Sequence, residues 1–494
     1  MVWLRKVLIL THRYLGIALS LLFLMWFVSG IAMLFAGGMP RLTPAERLER
    51  MPALDLGRVR LTPAEAAMRS GLQRGGGRLT LLPVMGRPVY RFAGGRGGGD
   101  GVTVFADTGD LLDEIGEAES IEIARRFMKA PPSALHHVAV LNSADQWTIE
   151  HRSQMPLHKI TVDDAARTEL YVSEETAEVA LMTTRGSRAL AGVAAIPHWL
   201  YFKSLRLNDG LWTRVVLWTS GLGTVSAFVG LILGVTQIRT RYVGWMRWHY
   251  VTGAIFGVFT LTWVSSGFLS MEPWDWTSRG TSGARIPQAL GGGPASLSWF
   301  PRIDPAAWNA ALSGRGVKEV EFLGVQGKPY YALRGVERGT VLMAVEPLKI
   351  RRESFSLDSL VQRIKQGNRD VAIANVEMLS RYDSYYYDRD REAPLPILRV
   401  KFADRADTWF YIDPRMSQVV SRLTRGERVE RWLYHGFHSL DFSFWYYTPL
   451  WTIGVIVLCS GGAVLSFTGV VIGFKRLQRI LNATTKTRRH EETI

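Results

Sequence analysis

Four of the ten histidines recur at a nearly constant spacing and could bind metal as two pairs. His12 and His249 are separated by 237 residues, and His198 and His438 are separated by 240 residues. The first two each begin a long apolar segment, and the last two each precede one. Because neutral imidazole is a common ligand of iron, each pair could hold one metal ion between two helices.

The residues that follow His12 and His249 predict a helical haem site. Glycine lies four residues after each histidine, at Gly16 and Gly253, and tryptophan lies 14 residues after each, at Trp26 and Trp263. These spacings fall on one face of an α-helix. Small residues on that face leave room for a porphyrin, and a six-coordinate b-type haem takes one imidazole from each of two facing helices. A rise of ~1.5 Å per residue gives the first segment roughly 35 Å beyond its histidine. We therefore predict two haems in series, one at each histidine pair.

The histidine pairs belong to a longer internal repeat. MGRPVYRF at 85–92 resembles QGKPYYAL at 326–333, and PLHKITVDD at 156–164 resembles PILRVKFAD at 396–404, with offsets of 241 and 240 residues. This constancy predicts duplication of a unit that contains a span, an outer α+β module and a second span. Since each unit has two spans, a pseudo-twofold axis along the membrane normal should relate the repeats.

Four apolar segments are long enough to cross a bilayer as helices, at 7–36, 215–238, 251–271 and 451–474. The first of them is too long for the apolar part of a signal peptide and lacks a clear cleavage site between small residues. We therefore interpret it as a retained membrane anchor.

The net charge of +15 is concentrated beside these apolar segments. Basic residues cluster around the start of the first segment, between the second and third, and after the fourth: Arg5, Lys6 and Arg13; Arg239, Arg241 and Arg247; Lys475, Arg476, Arg479, Arg488 and Arg489. The positive-inside rule places all three clusters, and thus both termini, in the cytoplasm. The charge therefore indicates topology, and we do not expect nucleic acid as a partner.

The predicted fold is membrane α-helical, with four transmembrane helices and two outer α+β regions. Strands are predicted at 78–82, 88–92, 102–106, 157–162, 169–172 and 178–183, with glycine-rich turns at 75–77 and 94–101. Helices are predicted at 64–73 and 120–128, and a proline-punctuated linker at 40–63. The predicted order is span 1 (1–36), outer region 1 (37–192), interfacial helix and span 2 (193–238), cytoplasmic loop (239–247), span 3 (248–271), outer region 2 (272–430), interfacial helix and span 4 (431–474) and cytoplasmic tail (475–494).

Other candidate residues carry weaker signals. His435 lies one turn from His438 and is an alternative member of the second pair. The loop at 381–392, RYDSYYYDRDRE, could bind a ligand, but a solvated loop is the favoured interpretation. Cys459 is the only cysteine, so no disulfide can form within the chain, and we expect it to be buried packing. Five histidines have no repeat partner, and the first four of them fit no metal-site spacing and are interpreted as solvated: His136, His137, His151, His158 and His490.

The motifs around the paired histidines make the chain similar to the PepSY-associated transmembrane family. They are HRYLG at 12–16, IPHWLYF at 196–202, RWHYVTG at 247–253 and RWLYHGFHSLDF at 431–442. TELYVSEETAEVA at 168–180 and TWFYIDPRMSQVV at 408–420 look like parts of PepSY modules. This resemblance covers nearly the whole chain. It implies a bacterial inner-membrane protein with two periplasmic PepSY-like regions.

Members of that family act as haem-containing reductases of ferric siderophores. The resemblance therefore supports His12, His249, His198 and His438 as ligands of two b-type haems. No segment resembles a flavin or nicotinamide domain, so electrons would come from a separate donor. The periplasmic acceptor would be an Fe(III) siderophore, which releases its iron more readily once the iron is reduced.

A second hypothesis makes the chain a membrane-anchored PepSY protein that binds a periplasmic protein or peptide and carries no cofactor. The two hypotheses predict different colours for the purified protein, since a di-haem protein is red and a binding module is colourless. A third reading, a secondary transporter, is weakened by the shortage of acidic residues within the spans.

Overall fold

The computed structural model describes residues 2–71, 77–93, 101–238, 240–275, 277, 283–293 and 295–491, with side chains described for residues 3–482 of these ranges. Most of the two predicted glycine-rich turns lies outside the described residues, as do Arg239 and the side chains of Arg488, Arg489 and His490. Residues 72–73 of the predicted helix at 64–73 and residues 492–494 of the predicted tail also lie outside the described residues.

The first half of the chain runs from one long helix through an α+β module to a second long helix. Its helices are α1 (Val2–Ala36), α2 (Pro44–Arg50), α3 (Pro63–Arg69), α4 (Glu117–Met128), α5 (Arg185–Val193), α6 (Ala195–Trp199), α7 (Lys203–Arg206) and α8 (Asp209–Thr236). Its strands are β1 (Leu79–Val84), β2 (Arg87–Phe92), β3 (Val102–Phe105), β4 (Leu135–Leu141), β5 (Leu157–Val162), β6 (Glu169–Ser173) and β7 (Val179–Thr183).

The second half follows a similar plan. Its helices are α9 (Gly244–Leu269), α10 (Ile286–Gly291), α11 (Pro305–Ala311), α12 (Leu357–Gly367), α13 (Arg425–Glu430) and α14 (Pro449–Glu491), with a turn of π-helix at Arg431–Gly436. Its strands are β8 (Glu319–Val325), β9 (Lys328–Arg334), β10 (Thr340–Ala344), β11 (Lys349–Arg351), β12 (Ile373–Leu379), β13 (Ile397–Phe402), β14 (Trp409–Asp413) and β15 (Gln418–Leu423).

The four long helices form a bundle in which α1 and α9 are diagonally opposed. Both α1 and α9 pack against α8 and α14. All four helices are long and apolar enough to cross a membrane, over Trp3–Ala36, Asp209–Thr236, Gly244–Leu269 and Pro449–Asn482. The protein is therefore a multi-pass membrane protein, and each helix contains most or all of the apolar segment that predicts it.

Small residues fill the interior of this bundle. Ser29, Ser220, Ser266 and Thr468 are almost completely buried. The hydroxyl of Ser220 donates to the carbonyl oxygen of Val216 one turn earlier, which satisfies it within its own helix. Such residues let neighbouring helices approach closely and still leave space for a group held between them.

A seven-stranded antiparallel sheet joins the two modules outside the bundle. Its order is β11-β10-β9-β8-β1-β2-β3, and β1 of the first module pairs with β8 of the second, with Leu81 opposite Val320. The side chains of β1 alternate between two cores, because Leu79 and Leu81 lie in one and Leu82 and Val84 in the other. Sequence analysis predicts the two regions separately, and the structure shows that they share one sheet.

Two four-stranded sheets complete the modules, with the orders β4-β5-β6-β7 and β12-β13-β14-β15. Each is followed by a short helix, α5 or α13, that leads into the segment before a long bundle helix. Sequence analysis finds β5, β6 and β7 within a residue or so of their observed bounds and misses β4. In β4 the buried and exposed residues alternate, and two histidines among them weaken the apolar pattern.

The segment at 40–63 is not only a linker, because it contains α2. Thr43 accepts a hydrogen bond from the backbone N–H of Glu46, whose carboxylate accepts one from the backbone N–H of Thr43 at 2.9 Å. This capping box, with Pro44 at the first helical position, starts the helix. The proline that suggests a linker is thus a helix-start signal.

Candidate functional site

The first histidine pair, His12 and His249, lies between the diagonally opposed helices α1 and α9. The centres of the two imidazole rings are 6.1 Å apart, and the rings are inclined by 41°. His12 Nδ1 lies 2.9 Å from the carbonyl oxygen of Ser226 on α8, and His249 Nδ1 lies 3.0 Å from Thr468 Oγ1 on α14. The two remaining helices therefore orient the rings, and among the described residues neither Nε2 atom has a hydrogen bond.

The second histidine pair, His198 and His438, lies where the bundle meets the modules. The ring centres are 6.0 Å apart and the rings are inclined by 66°. His198 is on α6, and His438 follows the π-helical turn, so neither belongs to a long bundle helix. Both side chains nevertheless lie against the ends of α1 and α9.

The two rings of the second pair have equivalent hydrogen-bond partners. His198 Nδ1 lies 3.2 Å from both the carbonyl oxygen of Trp26 and Ser29 Oγ. His438 Nδ1 lies 3.2 Å from the carbonyl oxygen of Trp263 and 3.0 Å from Ser266 Oγ. Since a carbonyl oxygen can only accept, Nδ1 carries the proton in both rings and Nε2 keeps its lone pair.

Burial keeps the second pair neutral. It lowers the pKa of His198 to about 4, and together with the nearby His198 it lowers the pKa of His438 to about 3. Both imidazoles are therefore uncharged at neutral pH, and neutral imidazole is the form that ligates a metal. Two neutral rings with centres 6.0 Å apart can hold one metal ion between them.

A glycine of an adjacent helix lies against each of the four rings. A β-carbon added at these positions would lie 2.7 to 3.9 Å from Cε1 of the nearest histidine: Gly230 at His12, Gly469 at His249, Gly30 at His198 and Gly267 at His438. Next to the first pair, a β-carbon on Gly16 would meet no atom within 4 Å, and one on Gly253 would meet only Leu465. The four glycines thus let the rings pack closely on the neighbouring helices, and the open space lies beside Gly16 and Gly253.

A cavity of 590 Å³ surrounds the second pair. Its wall is mainly aromatic and aliphatic, with Trp26, Phe27, Trp263 and Trp451 among the lining residues, and it includes both histidine rings. This volume and this mostly apolar wall are typical of sites for small molecules and cofactors.

Aromatic side chains of α1 and α9 line the cavity of the second pair. Trp26 is 14 residues beyond His12 on α1, which corresponds to roughly 21 Å along the helix. The rings of Phe27 and Trp263 are 5.7 Å apart, and Trp263 Nε1 donates to the carbonyl oxygen of His438 at 2.6 Å. Trp263 therefore connects the interior of the bundle to the backbone of a second-pair histidine.

Matching tryptophans fix the backbone next to each second-pair histidine. Trp212 Nε1 on α8 donates to the carbonyl oxygen of Trp199, and Trp451 Nε1 on α14 donates to that of Ser439, both at 2.9 Å. Each acceptor belongs to the residue that follows a histidine. The position of each ring is thus determined both by its Nδ1 contacts and by its backbone.

The sequence matches the model of the PepSY-associated TM region over residues 9–476, a stretch that includes both histidine pairs, α8, α9 and most of α1 and α14. The chain belongs to the PepSY-associated TM family. No curated protein is significantly similar to it in sequence.

Within this PepSY-associated protein the structure pairs His438, and not His435, with His198. The His435 ring lies 5.1 Å from that of Tyr434, and the Tyr434 ring stacks on His438. A π-helical turn at Arg431–Gly436 alters the direction of successive side chains relative to an α-helix. The sequence alone therefore leaves the choice between the two histidines open.

The prediction of a solvated loop at 381–392 is wrong for much of that loop. Tyr386 is buried and stacks on Tyr411 with ring centres 4.9 Å apart. Tyr387 Oη donates to Asp441 Oδ2 at 2.5 Å, and the carboxylate of Asp441 also pairs with Arg431 at 2.8 Å. The aromatic residues thus attach the loop to the segment that carries His438, a role that its charged composition obscures.

The prediction of solvated histidines is also wrong for His158. This residue is buried in β5, where its Nε2 lies 2.9 Å from the carbonyl oxygen of Ile115 and its Nδ1 lies 3.0 Å from His137 Nε2. His136 is exposed and pairs with Asp163, and His151 contacts Gln154. No group of three or more potential metal ligands is found among the described residues.

Proposed function

We propose that this protein is a transmembrane electron-transfer protein that holds two b-type haems, one at each histidine pair. The observation that carries the proposal is the distance between ring centres, 6.1 Å in the first pair and 6.0 Å in the second. A metal–imidazole bond is about 2.0 Å long, and the ring centre lies about 1.1 Å behind its nitrogen. Two imidazoles on opposite sides of one metal therefore have their centres roughly 6 Å apart.

The surroundings of the rings also fit this cofactor. The Nδ1 atoms of all four histidines have hydrogen-bond partners, the arrangement that orients metal-bound imidazole. A glycine lies against each ring, and the second pair lies in a largely apolar cavity. A haem held by a pair of these imidazoles would supply one-electron chemistry at its iron. The protein's own contribution is to hold the axial ligands and to exclude water from the bundle.

The arrangement supports transfer along the bundle and toward the modules. The two pairs lie at successive levels of α1 and α9, and the rings of Phe27 and Trp263, 5.7 Å apart, line the cavity of the second pair. The basic residues beside the bundle ends support an inner-membrane location with cytoplasmic termini and periplasmic modules. Electrons from a separate donor would then reach a periplasmic acceptor.

The acceptor we propose is an Fe(III) siderophore. Reduction to Fe(II) weakens binding by hard oxygen ligands, so it would release iron for uptake. The family resemblance and the position of the second pair beside the modules support this choice. The equivalent contacts made by residues 237 to 240 apart, such as those of Trp26 and Trp263, support an origin by duplication.

The test is the reduced-minus-oxidised visible spectrum of the detergent-purified protein, with a pyridine haemochrome count. We expect about two b-type haems per chain. His249→Ala should lose one haem and His438→Ala the other, with His435→Ala as a matched control that keeps both. Ferric siderophore should then reoxidise the reduced protein. A colourless protein from cells that make haem would refute the proposal and leave a PepSY binding protein whose partner a pull-down could identify.

A further inference from the structure

Arg389 is placed at the wall of the cavity that contains the second histidine pair. Its side chain is exposed, and it is one of two charged residues of the lining among the described residues, with Glu150 of the first half. The guanidinium carbon lies 4.3 Å from the centre of the Trp451 ring and 5.6 Å from that of Tyr446. It therefore lies on ring faces, which leaves its in-plane N–H groups free to bind a ligand.

A comparison with the first half shows that this guanidinium lacks an internal counter-charge. Arg206 lies over the rings of Tyr201 and Trp212, where Trp212 corresponds to Trp451, and it forms an ion pair with Asp209. Among the described residues, Arg389 has no ion pair and its guanidinium has no hydrogen bond. The two arginines thus share the stacking on tryptophan and differ in having an acidic partner.

The nearby acidic residue Asp388 is occupied elsewhere. Its carboxylate accepts hydrogen bonds from the backbone N–H groups of Asp390, Glu392 and Ala393. Tyr447 Oη donates to the carbonyl oxygen of Asp388 at 3.2 Å, so the backbone next to Arg389 is held as well. The loop therefore presents Arg389 at a defined position and does not neutralise it.

We infer that Arg389 binds a carboxylate at the mouth of this cavity. The inference rests on the proposed function and deepens it, because an apolar macrocycle that bears carboxylates at one edge matches a mostly apolar cavity with a guanidinium at its wall. Guanidinium binds carboxylate through two parallel N–H···O bonds, and it does so more strongly where water is partly excluded. The carboxylate can come from a propionate of the haem at the second pair or from an acceptor that enters from the module side.

The test compares Arg389→Gln (R389Q) with Arg391→Gln (R391Q) in the full-length protein. Arg391 is a matched control, because it is in the same loop, carries the same charge and lies over the ring of Tyr447, outside the cavity lining. Haem content and the two midpoint potentials are measured without acceptor. The rate at which ferric citrate reoxidises the reduced protein is measured as a function of its concentration.

Each result either identifies the source of the carboxylate, a haem propionate or the acceptor, or overturns the inference. If R389Q alone loses one haem or has a lower midpoint potential for one haem, the carboxylate is a haem propionate. The potential falls in that case because the lost positive charge no longer favours the reduced state. If R389Q alone keeps both haems unchanged and needs a severalfold higher ferric citrate concentration for half-saturation, the carboxylate belongs to the acceptor. Equal behaviour of R389Q, R391Q and wild type in all measurements overturns the inference. Absence of haem from the wild type would instead refute the proposed function.

Discussion

At the scale of single residues, the contacts of the four histidine rings characterise the two sites more closely than the sequence spacing of the histidines does. In the second pair, Trp26 and Ser29 contact His198 as Trp263 and Ser266 contact His438, each through Nδ1. Four glycines face the four rings, but the room they leave differs, since a β-carbon at Gly230 would come much closer to its histidine than one at Gly267. Replacement of these glycines therefore separates the effects of crowding from those of helix stability.

Gly230→Ala should impair the first pair. The new β-carbon would lie 2.7 Å from His12 Cε1, so the ring must move away from its position opposite His249. Alanine favours a helix over glycine by about 1 kcal/mol, so the helix itself should not be weakened. We expect loss of one haem or a changed spectrum for it, measured by haemochrome count and by redox titration.

Gly267→Ala is the control for this prediction. Its β-carbon would lie 3.9 Å from His438 Cε1, which is an ordinary van der Waals contact. This variant should keep both haems and both midpoint potentials. If Gly230→Ala also leaves both unchanged, crowding at His12 does not determine ligand position.

At the scale of elements, the segment that carries His438 depends on a buried ion pair. Arg431 and Asp441 flank this segment, and both are more than nine-tenths buried. Arg431 also donates to the carbonyl oxygen of Ser384, and Tyr387 donates to Asp441. The loop at 381–392 thus braces the short π-helical segment, which is too short to be stable without tertiary contacts.

Asp441→Asn should therefore impair the second haem site and spare the first. Loss of one partner of a buried pair costs about 3 kcal/mol, because Arg431 keeps a buried charge without its counter-charge. We expect one haem per chain with the spectrum of the first site, together with faster proteolysis between residues 381 and 441. Asp390→Asn, an exposed acid in the same loop, should leave both sites filled, and equal haem loss in the two variants would contradict this explanation.

At the scale of the whole molecule, the two modules are joined by β1 and β8 and by a charge network at that junction. Glu319 on β8 has a buried side chain and pairs with Arg47 of α2 in the first half and with Arg334 of β9. Arg47 also pairs with Glu178 at 3.0 Å. The junction therefore holds the first and second modules in one body above the bundle.

Glu319→Gln should weaken that junction. We expect the free energy of unfolding to fall by about 2 kcal/mol, less than for a fully buried pair because both guanidinium groups are partly exposed. Thermal unfolding in detergent would measure the loss, and amide hydrogen exchange should locate it at β1 and β8. Glu337→Gln, which removes an exposed pair with Arg315 and Arg352, is the control and should have a smaller effect.

The effect of Glu319→Gln should also depend on pH. Burial by itself raises the pKa of the Glu319 carboxyl, but Arg47 and Arg334 outweigh burial and leave this pKa below its ordinary value of 4.5. The ionised carboxylate therefore contributes its full stability above pH 4.5, and the contribution is lost as the pH falls through the lowered pKa. Wild type and variant should differ in unfolding free energy at pH 7 and converge in acid; a constant difference would contradict this assignment.

The sequence by itself determined the features that depend on local pattern. Apolar segments of sufficient length predict the four bundle helices, because backbone groups within a bilayer must pair inside one helix. Alternating residues predict β5, β6 and β7, because successive side chains of a strand point to opposite faces. The recurrence of His12 at His249 identifies the first pair before any contact is known, and the recurrence of His198 identifies the second except for the choice between His438 and His435.

Only the tertiary structure decided how distant segments meet. The pairing of β1 with β8 joins strands more than 230 residues apart, and no local periodicity records such a partner. His438, which follows the π-helical turn, pairs with His198. Hydrogen bonds of Tyr387 with Asp441 and of Ser384 with Arg431 make a charged, tyrosine-rich loop a support for that turn. Periodicity reports which face of an element is apolar, whereas the partner of that face depends on contacts between residues far apart in the chain.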